Sequence, residues 1–189
     1  MLRLTVKDLE LFPDPIDDTR YELIGGELHV SKQPDWEHQQ TCAELTFELG
    51  AWNRASGAGR ILIAPGIIFG PDEAVAPDVV WVSNERFPRV VGDDGKLHGG
   101  PELVVEVLSP GSKNESRDLD LKLDLYSRYG VAEYWVADWR DRTVRVYRRQ
   151  NAQLTRVSTL TAEDTLASPL LPGFAAPVVR LFPDPSPTP

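Results

Sequence analysis

The sequence predicts an α/β (α+β) protein: a mixed central β-sheet flanked by helices, with a β-hairpin towards each end. Three observations point there. Residues 103–108 form an apolar run of the length expected for a strand buried on both faces. Residues 21–24 and 27–30 flank Gly25-Gly26, and that pair supplies the positive φ angles of a two-residue hairpin turn. Two longer segments, about 35–55 and 114–129, carry helical caps and helical spacing.

The elements follow in order. Thr5 caps a short helix over 6–11, and Pro13-Asp14-Pro15 ends it. After the hairpin, the helix at 35–55 runs to Gly57 and Gly59. Its Trp36, Ala43, Phe47 and Ala51 fall on one face, and Leu45, Leu49 and Trp52 on nearly the opposite one. A helix apolar on two sides lies between layers or at a subunit contact, so Trp52, Leu45 and Leu49 are the expected contact of a dimer. Strands are expected at 60–64, 67–69 and 78–82, followed by a polar loop over 83–100 with Gly92-Asp93-Asp94-Gly95 at its tip. Beyond the 103–108 strand, Ser112 and Glu115 form a capping box for the helix at 114–129, which Gly130 closes. Strands at 133–137, 143–148 and 153–158 complete a single domain over 1–182. The tail at 183–189 holds four prolines and is expected to be extended and mobile.

Composition narrows the function. No apolar run approaches the ~18–20 residues of a membrane span. Charges stand in the N-terminal residues where a signal peptide would be apolar. One cysteine, Cys42, excludes an intramolecular disulfide and a cysteine-rich zinc site. The expectation is a reduced, cytoplasmic protein. The net charge is −9, with −8 in residues 1–100 and −1 in the remainder. A protein that grips nucleic acid mainly through charge is basic, so the balance argues against binding of that kind. Carboxylates gathered round a metal site also produce an acidic balance.

Three residues break the local pattern. Glu106 sits inside the 103–108 run, where a lone carboxylate costs several kcal/mol unless compensated. It is either half of a buried ion pair with an arginine, or a metal ligand or raised-pKa acid. Lys122 falls in the middle of the broad apolar arc that runs from Leu123, Leu119 and Tyr126 through Tyr129 to Leu125 and Leu121. It either pairs with Asp118 one turn earlier or serves a site. Asp78, after Pro77 at a strand start, reads in isolation as a turn residue. Together, two carboxylates can hold a hard divalent cation, and an ammonium beside them can orient or deprotonate water. Weaker signals accompany these. His38 and Cys42 stand at i,i+4, but two ligands make no metal site. Arg140, Arg142, Arg145, Arg148 and Arg149 oppose only Asp141, with Arg145, Tyr147 and Arg149 on one strand face. They form a phosphate-contacting patch or the charged solvent side of an edge hairpin. Ser109-Pro110-Gly111-Ser112 leads to a helix N-terminus, a seat for phosphate.

Pro77-Asp78, then Glu106-Val107-Leu108-Ser109-Pro110, then a helix carrying Lys122 and Tyr126, resemble the PD-(D/E)XK nuclease superfamily. Within it, the chain is similar to a large bacterial family of restriction-endonuclease-like proteins. Tyr21-Glu22-Leu23-Ile24, Gly26-Glu27-Leu28, His38-Gln39, Gly130-Val131-Ala132-Glu133-Tyr134-Trp135-Val136 and Ser168-Pro169-Leu170-Leu171-Pro172-Gly173-Phe174 extend the resemblance over about residues 5–182. No single stretch is specific; their order and spacing together are. The resemblance implies a restriction-endonuclease-like fold and Mg²⁺- or Mn²⁺-dependent hydrolysis of DNA phosphodiesters. It implies Asp78 and Glu106 as metal ligands, the Val107 carbonyl as a third, and Glu22 as an acid facing the same site. One departure stands out: the superfamily lysine two residues after the glutamate is Leu108 here, and its place passes to Lys122, with Lys113 as the competing candidate. Cleavage of both strands needs two sites, which implies a homodimer. A non-catalytic binding or assembly module that keeps the fold, or a polar cluster that only specifies the core, are the alternatives.

Overall fold

The computed structural model of the protein describes residues 3–12, 19–31, 33–109 and 115–184, with main chain alone at 115–118. The apolar run forms β7 (Leu103–Val107), whose five residues are all buried. Side chains of a strand alternate between faces, so Leu103, Val105 and Val107 enter one core and Val104 the other. β7 pairs antiparallel with β6 (Val79–Ser83) and parallel with β8 (Glu133–Asp138). A parallel pair needs a long crossover, and α4 (Glu115–Arg128) supplies it. Outside β8 lie β9 (Thr143–Gln150) and β10 (Gln153–Leu160), and outside β6 lies β3 (Gly59–Ile63). The six strands run in the order β10-β9-β8-β7-β6-β3, antiparallel except at β7–β8.

One helix covers each face of this sheet. α2 (Trp36–Ser56) starts at Asp35, which accepts a hydrogen bond from the His38 N–H at 3.0 Å, and stops at Gly57, whose φ of 63° is left-handed. Its Leu45 and Leu49 pack with Val79, Trp81, Val105 and Trp135. On the opposite face, Leu125 and Tyr126 of α4 pack with Val80, Val104 and Val136. Each large apolar side chain so buried contributes about 1.5–3 kcal/mol. A second, antiparallel sheet has the order β2-β1-β5-β4, with β1 (Arg20–Ile24), β2 (Glu27–Ser31), β4 (Ile67–Gly70) and β5 (Glu73–Val75). The β1–β2 turn is Gly25-Gly26 with φ of 58° and 79°, the left-handed pair that such a turn requires. Ile24, Ile67 and Val75 join this sheet to the core under α4. A short pair, β11 (Thr165–Ala167) with β12 (Ala175–Pro177), closes the core under α2 through Leu166 and Ala176, and the 3-10 turn Val178–Leu181 after it adds Leu181.

The fold class is the one expected: a mixed central sheet flanked by helices, with a hairpin towards each end. Several details differ. Trp52, Leu45 and Leu49 cannot form a dimer contact, because they belong to the chain's own core. Leu45 and Leu49 are buried, and Trp52 packs on Trp81 and Phe174 and donates to the Pro172 carbonyl. The face left to solvent is the other one, with Trp36 54% and Phe47 68% exposed. Residues 83–100 are more than a loop: α3 (Phe87–Val90) lies there, and bridges from Ile67 and Val91 hold Leu97 in the core. β9 lies one strand in from the edge, within the β9–β10 hairpin that forms that edge, and its arginines meet partners within the chain. Arg145 faces Asp138, Arg148 faces Glu133, and Arg149 caps the end of α4 through the carbonyls of Ser127 and Val131. Strands β5, β11 and β12, of three residues each, were too short to leave a periodic signal. The capping box at Ser112 and Glu115, the loop at 110–112, Lys113, the side chain of Asp118 and the tail at 185–189 lie outside the described residues. Among the described residues no helix is long and apolar enough to cross a membrane.

Candidate active site

Four elements deliver polar side chains to one end of the central sheet. On β7, the alternation that sends Val104 toward α4 sends Glu106 the same way. Lys122 and Tyr126, one turn apart on α4, meet it there. Lys122 Nζ is 2.9 Å and the Tyr126 hydroxyl 2.7 Å from the same oxygen, Oε1. On β1, Arg20 and Glu22 are two residues apart and share a face. Both grip the main chain of Ala76: its N–H donates to Glu22 Oε1 at 2.9 Å, and its carbonyl accepts from Arg20 Nη1 at 2.7 Å. This hold places Pro77-Asp78 at the entry to β6. Lys122 Nζ also lies 3.1 Å from Glu22 Oε2, so one ammonium joins two carboxylates from distant parts of the chain.

Asp78 is ringed by donors. Oδ1 accepts from Arg20 Nη1 at 3.1 Å, Oδ2 from the Val107 N–H at 2.8 Å, and His38 Nε2 of α2 lies 3.3 Å from Oδ2. Burial alone would push this carboxyl up, but His38, Arg20 and the Val107 N–H together hold it at about 2. The opposite balance holds at Glu106. Burial, with Asp78 and Glu22 nearby, raises its carboxyl in spite of Lys122. Burial would lower the Lys122 ammonium, but Glu106 and Glu22 outweigh it and raise its pKa, so the group is a cation at any ordinary pH. Burial and the neighbouring Glu106 push the Tyr126 hydroxyl well up, so Tyr126 acts as a hydrogen-bond donor.

These groups line a cleft of about 140 Å³ that includes Arg20, Glu22, His38, Asp78, Glu106 and Lys122. Val107 and Ser109 also border it. Three carboxylates on one small cleft, with an ionised Asp78 among them, are an oxygen donor set of the kind that hard divalent ions select. The residues present therefore fit a divalent metal.

Asp78, Glu106, Glu22 and Lys122, all singled out from sequence, come together here. The two readings of Glu106 are not exclusive, since it both forms a buried ion pair and borders the cleft. Its partner is a lysine rather than an arginine. Lys122 pairs with Glu106 and Glu22, across the fold. Arg20 and His38 were not assigned to this site. Helical spacing held a signal for His38: with Cys42, Leu45 and Leu49 it forms an i, i+4, i+7, i+11 stripe on the buried face of α2. Alternation with Glu22 held one for Arg20.

Comparison with known proteins places the family and the fold. The family model Uma2, described as "Putative restriction endonuclease", matches residues 7–179. The crystal structure of a "putative nuclease belonging to DUF820" from Anabaena variabilis superposes with a TM-score of 0.74, covering 95% of this chain and 97% of that one. The two are 19% identical, so this likeness speaks for the fold. No curated protein matches the chain in sequence. The chain belongs to the Uma2 family of restriction-endonuclease-like proteins, within the PD-(D/E)XK superfamily.

Proposed function

We propose that the protein is a divalent-metal-dependent nuclease that hydrolyses DNA phosphodiester bonds. The observation that carries this reading is the convergence of Asp78, Glu106 and Glu22 with Lys122 on one cleft. Asp78 and Glu106, with the Val107 carbonyl, are the proposed ligands of Mg²⁺ or Mn²⁺. Such an ion, when bound, lowers the pKa of water and neutralises charge on phosphorus. The chain's own residues then have distinct tasks. Arg20 and the Val107 N–H fix the Asp78 carboxylate. Tyr126 fixes Glu106 through Oε1. Lys122 is too firmly protonated between two carboxylates to serve as a base. It acts as an ammonium that positions the attacking water and meets the charge that develops on the phosphate. Glu22 holds Lys122 in place. A homodimer, which would supply two sites for a double-strand cut, is part of the proposal.

The acidic balance of −9 favours a second reading, a binding module that keeps the nuclease fold. Single-turnover assays on linear and supercoiled DNA with Mg²⁺ or Mn²⁺ separate the two. Cleavage that disappears in Asp78→Asn and Glu106→Gln supports the nuclease. Metal binding without cleavage of any DNA form supports the module. Light scattering that returns the 21.1 kDa of one chain across micromolar concentrations would remove the dimer.

A further inference from the structure

His38 is 4% exposed, yet it borders the cleft. Its two ring nitrogens face different partners: Nε2 is 3.3 Å from Asp78 Oδ2, and Nδ1 is 3.6 Å from Cys42 Sγ. Ligand atoms of His38, Cys42 and Asp78 lie within 4.8 Å of one another. Asp78 does not depend on His38 for its orientation, because Arg20 holds Oδ1 and the Val107 N–H holds Oδ2. With the ring proton on Nε2, His38 is one more donor to Asp78. With the proton on Nδ1, it points at the Cys42 sulphur, and the Nε2 lone pair faces a carboxylate oxygen. Those two atoms repel unless a cation lies between them. Two donors about 2.0–2.2 Å from one ion stand roughly 3.3–3.6 Å apart at angles near tetrahedral, and the 3.3 Å found here is at the short end of that range.

We propose that His38 Nε2 is a ligand of the ion held by Asp78, with Cys42 orienting the ring through Nδ1. The inference rests on the metal-site reading above and sharpens it. The centre is then a mixed nitrogen–oxygen site that takes a borderline transition ion such as Co²⁺ or Zn²⁺ in preference to Mg²⁺, because imidazole favours the former. Cys42 stands behind the ring and is not among the residues lining the cleft. Its role is the one that partners of metal-bound histidines ordinarily fill, fixing tautomer and ring angle.

The test is metal titration of the full chain at matched ionic strength, read by melting temperature and by the visible spectrum of Co²⁺. Co²⁺ is expected to half-saturate at a concentration at least about tenfold below Mg²⁺. In His38→Gln, the side-chain amide can keep a hydrogen bond to Asp78 but offers no imidazole. Co²⁺ binding should weaken by about 10–100-fold while the Mg²⁺ response persists. Equal Co²⁺ affinity in wild type and His38→Gln overturns the proposal. A sulphur-to-cobalt charge-transfer band that vanishes in Cys42→Ser overturns it too, by making the thiol the ligand. One measurement needs no variant. Proton NMR of the Co²⁺-loaded wild type should show an exchangeable imidazole N–H shifted far outside the diamagnetic range, and its absence counts against His38. Asp78→Asn separates this idea from the one beneath it. If that variant responds to both ions as wild type does, the metal-site reading itself fails. If the Mg²⁺ response needs Asp78 but the Co²⁺ response gains nothing from His38, the His38 assignment alone fails.

Discussion

Two buried glutamates on neighbouring strands of the same sheet have opposite surroundings. Glu133 on β8 is 2% exposed, and its partners occupy both oxygens: Trp135 Nε1 donates to Oε1 at 2.8 Å, and Ser168 Oγ to Oε2 at 2.6 Å with Arg148 beyond at 3.5 Å. Glu106 on β7 is 7% exposed, and Lys122 and Tyr126 both donate to Oε1. Glu133 has unlike partners and serves the core. Glu106 has Asp78 and Glu22 close by, so like charges collect where a cleft opens. A buried carboxylate by itself is therefore no mark of a site. Like charges gathered beside one cation are a better mark, because a fold tolerates that cost only for a purpose such as holding an ion.

The largest effect should come from removing the cation of the Glu106 cluster. Lys122→Met leaves Glu22 and Glu106 facing each other without an ammonium, so stability in chelator should fall by about 3–5 kcal/mol. Mg²⁺ should restore part of that loss, making the thermal shift on adding metal larger than in wild type. Cleavage should drop by ~100-fold or more. A variant as stable as wild type in chelator would show that the three carboxylates do not repel strongly, and the contrast with Glu133 would collapse.

Next comes the direct comparison. In Glu106→Gln the amide oxygen can still accept from both Lys122 and Tyr126, and Lys122 keeps Glu22. Stability should change by less than about 1 kcal/mol, while the metal response is lost. In Glu133→Gln, donors on both sides force the amide N–H₂ against one of them and leave Arg148 without its carboxylate. The expected cost is about 3 kcal/mol, with the metal response intact. Urea unfolding and metal titration on the pair decide it, and equal costs would erase the distinction.

How much of this was legible in sequence follows from where each signal is stored. Glu106 and Lys122 could be read because each violates a local pattern, a charge in an apolar strand or in an apolar helical arc. The fold class could be read for the same local reasons: one buried run, one Gly-Gly turn, two capped helices. Asp78 gained weight only in combination, and Glu22 entered through the family resemblance, because its contact with Lys122 spans most of the chain. Arg20 follows regular spacing, so nothing set it apart, and His38 stood out only beside Cys42 and in the family resemblance, neither of which tied it to Asp78 until the sheet and α2 were placed together. The two apolar faces of α2 were both visible, but only tertiary packing decides which one is covered, and the face with Leu45 and Leu49 was. Glu133 lies beside apolar neighbours much as Glu106 does, and its partners Ser168 and Arg148 are far off in sequence, so its harmlessness was not legible either.

A smaller effect concerns pH. Asp78 is held at about 2, below the ordinary aspartate value near 3.9, so the folded protein binds fewer protons there than the unfolded chain. Its stabilisation is present above about pH 4 and is lost as pH falls through about 2, about 2.5 kcal/mol in all. Glu106 has the opposite sign. Its raised carboxyl favours the folded state when protonated, so its contribution grows as pH falls from neutral through that raised value. In chelator, stability should thus hold or rise slightly on moderate acidification and then fall. Asp78→Asn should remove the acid limb, and Glu106→Gln the rise. A wild-type profile that falls steadily from neutral pH would mean that Glu106 is not raised.

The smallest expected effect sharpens the comparison from the Glu133 side. Ser168 Oγ donates to Glu133 Oε2 and accepts the Leu170 N–H at 3.0 Å. Ser168→Ala removes the bond to a charged acceptor and also the acceptor of the Leu170 N–H, while Arg148 remains to answer Oε2. The cost should be about 2 kcal/mol, the worth of one charge-assisted bond and part of a neutral one. More telling is what should not change. The Ser168 cluster lies at the other end of β8 from the cleft, so the metal-induced rise in melting temperature should equal that of wild type. Distant sites add when they share no partners. Combining Ser168→Ala with Glu106→Gln should therefore give the sum of the two stability changes to within about 0.5 kcal/mol. A coupling well above that would join the two carboxylates into one network through the sheet, and Glu133 would then have to be counted among the groups that tune the cleft.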